Sequence, residues 1–145
     1  MIIDCLRKYI KTCPYLDEFE KRINVDYLDE KPTSYSIEET PCEPIIKKYI
    51  GGDSKRQYQF IFTSRESYGA DVLQNIDNCG FYEDFAQWLE DETIKGNLPK
   101  LDSGKECIKI EAMSTGYAFQ TDVDKARYQI QCRIVYLQKG GNKNG

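Results

Sequence analysis

The side chains that most often carry out chemistry are thinly supplied in this chain of 145 residues. There is no histidine, so any dyad or triad built on Ser-His or Cys-His is excluded. Carboxylates, lysines and cysteines remain. The densest acidic run, Glu90, Asp91 and Glu92 within LEDETIK, reads as the solvated side of a helix, because consecutive helical residues point in different directions. The six cysteines, Cys5, Cys13, Cys42, Cys79, Cys107 and Cys132, contain no C-x-x-C pair and have no histidine to complete a mixed zinc site. Cys5, Cys13 and Cys132 fall on apolar faces, where a thiol behaves as a small hydrophobe, and the expectation is reduced thiols in a cytoplasmic protein. Cys79 and Cys107 are the thiols that a cationic neighbour could in principle activate. Ile50-Gly51-Gly52-Asp53-Ser54-Lys55 lacks the spacing of a phosphate-binding loop, and no G-x-G-x-x-G follows a strand. The chain therefore predicts no catalytic, cofactor-binding or metal residue and no small-molecule substrate.

One patterned polar surface is left. In ARYQIQCRIVYLQK, Ala126, Tyr128, Ile130, Cys132, Ile134 and Tyr136 alternate with Arg127, Gln129, Gln131 and Arg133, as in a strand with one buried face. Lys55, Arg56 and Arg65 extend a basic stripe with Lys125, Arg127 and Arg133 if their strands pair. Such a stripe has a bland use as a solvated sheet face. It has two functional uses: a small nucleic-acid-binding or regulatory module working through a basic sheet face, or a contact surface between protein subunits, where arginine is enriched. Tyr58 and Tyr128 point to the opposite strand face, into the core, which weakens the nucleic-acid alternative. The interface residues expected on this reasoning are Arg127, Gln129, Gln131, Arg133, Lys125, Arg56 and Arg65.

Positioning these residues takes a recognisable set of elements. Ile2, Leu6, Tyr9, Ile10 and Cys13 recur at helical spacing before Pro14. INVDYL and SYSIEET read as short strands around the loop DEKPT. EPIIKKYI suits a helical face or a hairpin arm equally well, and Gly51 to Ser54 form a turn into the strand KRQYQFIFTSR. Between Ala70 and Lys95 the period changes to helical, with two pieces expected to bend at Gly80 and to stop at Gly96 and Pro99. KECIKIEAM is a strand with Ile108, Ile110 and Ala112 on one face, and STGYAFQTDVD a loop before the last strand. KRQYQFIF and KARYQIQC echo one another, a match short enough for chance to explain better than duplication.

Net charge is −4 with both signs interspersed, so the overall field does not favour nucleic acid. MIIDCLRKYIKTC has no uninterrupted apolar region of a secretory signal, and no stretch approaches the ~20 apolar residues of a membrane span. Length and element order predict one domain over residues 1–139 with a flexible tail at 140–145. The fold class expected is α+β: a mostly antiparallel sheet of about five strands, with an N-terminal helix and a central helical insert packed on one face.

INVDYL with YSIEETP, KRQYQFIFTSR, GFYEDFAQWLE and TDVDKARYQIQCRIVY together resemble a family of small proteins of phages and prophages of low-GC Gram-positive bacteria. These are similar to tail-terminator proteins, also called tail-completion or minor capsid proteins. The resemblance runs from Ile2 to Lys139 as an overall pattern without a catalytic signature. It implies an α+β subunit that assembles into a homo-oligomeric ring, usually a hexamer, on the head-proximal end of the tail tube. Its partners would be the tail-tube protein and head-tail connector proteins, with no cofactor and no membrane. Its location would be the virion tail, after assembly in the bacterial cytoplasm. STGYAFQTDVD and the Gly51 to Ser54 turn are the expected contact edges.

Overall fold

The computed structural model describes residues 1–16, 23–25, 34–67, 72–121 and 125–140. Along the chain these form α1 (Ile2–Ile10), β1 (Ile23–Val25), β2 (Ser34–Thr40), β3 (Ile45–Lys48), β4 (Ser54–Ser67), α2 (Val72–Lys95), β5 (Lys105–Ala112), β6 (Tyr117–Thr121) and β7 (Lys125–Gln138). The architecture is α+β, with the N-terminal and central helices packed on one face of a mostly antiparallel sheet. Among the described residues the sheet has seven strands rather than about five.

Its centre is the antiparallel pair β4 and β7, each 14 residues long and in register from Ser54 opposite Gln138 to Ser67 opposite Lys125. Alternation then fixes both faces, since successive side chains in a strand point to opposite sides. Phe60, Phe62, Ile130, Cys132 and Ile134 are wholly buried under the helices. The Arg127, Gln129, Gln131 and Arg133 row falls on the other face, as the sequence pattern requires.

Each central strand carries two short strands in line along its outer side. β2 pairs with Gln59–Arg65 and β3 with Ser54–Arg56 of β4. β5 pairs with Cys132–Gln138 and β6 with Ala126–Gln129 of β7. Pro41 and Pro44 bracket the first break, since proline cannot donate to a ladder. There the Gln57 amide donates to the Pro44 carbonyl at 2.9 Å and the Gln57 side chain to the Glu43 carbonyl at 2.8 Å. At the second break the Met113 amide donates to the Gln131 carbonyl at 2.6 Å, and the Gln131 amide to the Ser114 hydroxyl at 3.1 Å. Backbone groups freed by each interruption thus keep partners.

α1 buries Leu6, Tyr9 and Ile10, carries Asp4 in its first turn and Arg7 and Lys8 in its last, and ends before Pro14. α2 runs unbroken through Gly80, contrary to the expected bend. Glycine costs about 1 kcal/mol in a helix interior, and Phe81, Tyr82, Phe85, Trp88 and Leu89 hold the helix to the sheet on the far side of it. Phe85 stacks on Phe62 at 4.6 Å between ring centroids, and Trp88 meets Tyr9 of α1 at 5.3 Å. The helix stops where expected. Gly96 takes φ +77°, its amide donates to the Thr93 carbonyl at 3.1 Å, and the Asn97 amide reaches the Glu92 carbonyl at 2.9 Å, a Schellman closure.

Four further features, two of them left open by the sequence, are local. β1 and β2 run parallel, an arrangement a tight hairpin cannot make. EPIIKKYI resolves to a hairpin arm, since Ile45–Lys48 pair with β4. STGYAFQTDVD contains a strand, β6, rather than loop alone. A register shift between Cys107 and Lys109 turns Ile108 out to solvent, so Cys107 rather than Ile108 shares the buried side with Ile110. Tyr27, Leu28, the loop DEKPT and residues 141–145 of the expected tail lie outside the described residues. Gly140, also assigned to that tail, donates its amide to the Asp53 carboxylate at 2.7 Å.

Candidate functional site

The open face of β7 is where sequence placed a contact surface, and the chain itself supplies partners for much of it. Arg127 bonds the Glu38 carboxylate of β2. Arg133 donates from Nε to Glu111 of β5 at 2.6 Å and from a terminal nitrogen to the Gln57 side chain of β4 at 3.0 Å. Gln129, only 6% exposed, donates to the Tyr117 hydroxyl of β6 at 2.7 Å. Gln131 alone of the row is exposed. Burial pushes the Glu111 carboxyl upward, but the Arg133 hydrogen bond and the charges of Lys109 and Arg133 outweigh it and hold the group below its ordinary value.

The seven expected interface residues do not form one stripe. Arg65 lies directly across from Arg127, and Lys125 is paired through its backbone with Ser67. Arg56 falls on the helix-bearing face, opposite Ile45 and Tyr136, and bonds the Ser54 hydroxyl at 3.0 Å. Its even position in β4 puts it on the same side as Tyr58, which the simple count of basic residues ignored. The carboxylate partners Glu38 and Glu111 were missed. Both occupy the polar positions of alternating strands, but which strands become neighbours is not written in alternation.

The remaining reactive groups are held in place rather than activated. The described cysteines are free thiols. Burial pushes the Cys107 thiol up to about 11 and that of Cys132 further still, the reverse of the depressed value a nucleophile needs. Ser64 and Tyr82 share a 2.5 Å hydrogen bond in the core, and the Tyr82 hydroxyl also donates to the Tyr128 carbonyl at 3.2 Å. That group ties α2 to both central strands. In the acidic run, Glu92 turns inward at 6% exposure instead of facing solvent, bonded to the Asn97 side chain, while Glu90 and Asp91 stay outside. Among the described residues no cluster of three or more metal-ligating side chains exists, and no helix is long and apolar enough to cross a membrane.

Two surfaces at opposite sheet edges stand out instead. One is the β3–β4 hairpin, closed by Tyr49 donating to the Asp53 carbonyl at 2.9 Å. It exposes Ile46, Tyr49 and Ile50, the last completely, beside Lys47 and Lys48. The other is a groove of about 740 Å3 between α2 and β5. Ala86, Ile94, Ile110 and Ala112 supply its apolar lining, and Glu83, Glu90 and Glu111 its acidic rim, with Lys109 beside Glu111. The loop Ser114–Gly116 closes one end, and Gly116 lies so close to the helix that an added Cβ would sit 2.4 Å from Cβ of Tyr82. The contact edges expected from sequence, the Gly51 to Ser54 turn and the start of STGYAFQTDVD, thus fall on the hairpin and on the groove respectively.

No protein-family model matches this chain, and no curated protein matches it.

Proposed function

We propose that the chain is a structural tail-terminator subunit of a phage or prophage. It forms a ring, hexameric by the resemblance, that caps the head-proximal end of the tail tube, stops tube polymerisation and joins the tail to the head-tail connector. The observation that carries this reading is where apolar surface stays open. Ile46, Tyr49 and Ile50 project at one sheet edge, and Ile94, Ile108 and Met113 near the opposite one. Exposed apolar patches of this kind mark protein contact sites, whereas the charged centre of the sheet is engaged within the chain.

Capping then follows from shape. Tube subunits add head to tail and expose the same surface at each step. A ring that matches that surface on one side and offers a different one on the other ends the series, and many modest contacts engaged together make it firm. The test is to add the purified chain to elongating tail tubes and measure tube length and end density by electron microscopy. The expected result is shorter tubes with a ring at one end. Unchanged elongation with bare ends contradicts the proposal.

A further inference from the structure

The hairpin and the groove complement each other, and we infer that the β3–β4 hairpin tip of one copy docks into the α2–β5 groove of the next. This deepens the ring reading above and rests on it for closure of the circle, while the contact itself is argued from the two surfaces.

The first argument is position. In the row where they meet, the strands run β3, β4, β7, β5, so the two surfaces occupy opposite edges of one sheet. Three strand spacings, roughly 14 Å, separate those edges, and the hairpin faces away from its own groove. Each copy can therefore give its hairpin to one neighbour and accept that of another. This is a heterologous contact, the kind that closes into rings.

Charge is the second. Lys47 and Lys48 make no ion pair among the described residues, and neither do Glu83 and Glu90. Glu83 and Glu90 lie two helical turns apart on the helix wall of the groove, while Glu111 on the strand side is already paired with Arg133 and Lys109, so the open acidic charge is that of the helix. Neighbouring strand residues point to opposite sides, so the hairpin presents a lysine on each of its faces and can set one against Glu83 and Glu90 whichever face it turns to the helix. The third is apolar content. Ile50 and Tyr49 at the tip meet a lining of Ala86, Ile94 and Ala112, and a volume of about 740 Å3 takes several side chains at once. Pro41 and Pro44, just ahead of β3, limit uncontrolled strand addition along this edge.

The experiment is a charge swap on the full chain, read by native mass spectrometry and by sedimentation at rising concentration. Wild type is expected to self-associate. Lys47→Glu/Lys48→Glu and Glu83→Lys/Glu90→Lys, all at exposed positions, are each expected to weaken self-association at least about tenfold while far-ultraviolet circular dichroism stays unchanged. Mixing the two variants creates oppositely charged surfaces at both kinds of contact, so association is expected to return as alternating hetero-oligomers. A wild type that stays monomeric at every concentration overturns the inference, as does self-association indifferent to either variant or a mixture that fails to recover. Tube capping is scored separately: association without capping removes the proposed function and leaves this contact standing, and capping by both charge variants removes the contact and leaves the function.

Discussion

The two outer arms of the sheet are built alike and finished differently. Each central strand is flanked by a pair of short strands in line, broken once, with the freed backbone groups satisfied locally. On the β4 side, β1 covers the edge of β2, and β3 projects beyond it with its residues largely exposed. On the β7 side, no described strand covers β5, and α2 leans beside it to leave a groove. One arm ends in a basic apolar projection and the other in an acidic apolar recess. The difference teaches that, among the described residues, Ile46, Tyr49, Ile50, Ile94, Ile108 and Met113 gather where the arms diverge, while Met1, Tyr15, Val25 and Tyr117 are exposed elsewhere.

The strongest way to break the comparison is to remove what both arms share. Phe62 sits in β4 against Phe85 and Tyr35, wholly buried. Phe62→Ala is expected to cost about 3–5 kcal/mol, measured by urea unfolding, with both arms lost in one transition. A smaller effect separates them. Gly116→Ala drives a methyl group into Tyr82, costs about 1–3 kcal/mol by overpacking, and distorts the groove arm while amide chemical shifts of the β3–β4 hairpin stay put.

The smallest effect is electrostatic. The folded state holds Glu111 below its ordinary carboxylate value, so it stabilises the protein above the unfolded value of about 4.3 and loses that contribution as pH falls through the folded one. Glu111→Gln is expected to flatten the acid limb of the stability curve by less than about 1 kcal/mol, because both partners remain partly exposed. An acid limb unchanged in the variant would show that Glu111 draws no stabilisation from Arg133 and Lys109.

Much of this architecture was legible in the residues, because alternation and helical spacing report directly on burial. The face division of β7, the strand Lys55–Arg65 and the Gly96 stop all follow from local pattern. Sequence also marked Gly51 to Ser54 and the loop after Met113 as edges, for the elementary reason that turns gather there. What it missed depends on pairing between distant segments. β6 has too short an apolar pattern to identify itself before β7 supplies a ladder, and the bulge at Ile108 is visible only against Tyr136 and Val135 of its partner. Gly80 misled because a glycine weakens a helix locally, whereas tertiary packing decides whether it continues. The echo between KRQYQFIF and KARYQIQC falls near the starts of β4 and β7, which the antiparallel register places at opposite ends of the sheet.

The central claim is that these two unlike edges meet between copies, and hydrogen–deuterium exchange of the full chain at low and high concentration tests it most directly. Protection is expected to rise together in Tyr49–Ser54 and in Glu83–Ile94 as association proceeds, with little change along Arg127–Arg133. Protection of the Arg127–Arg133 row with the hairpin and groove unchanged would contradict the account.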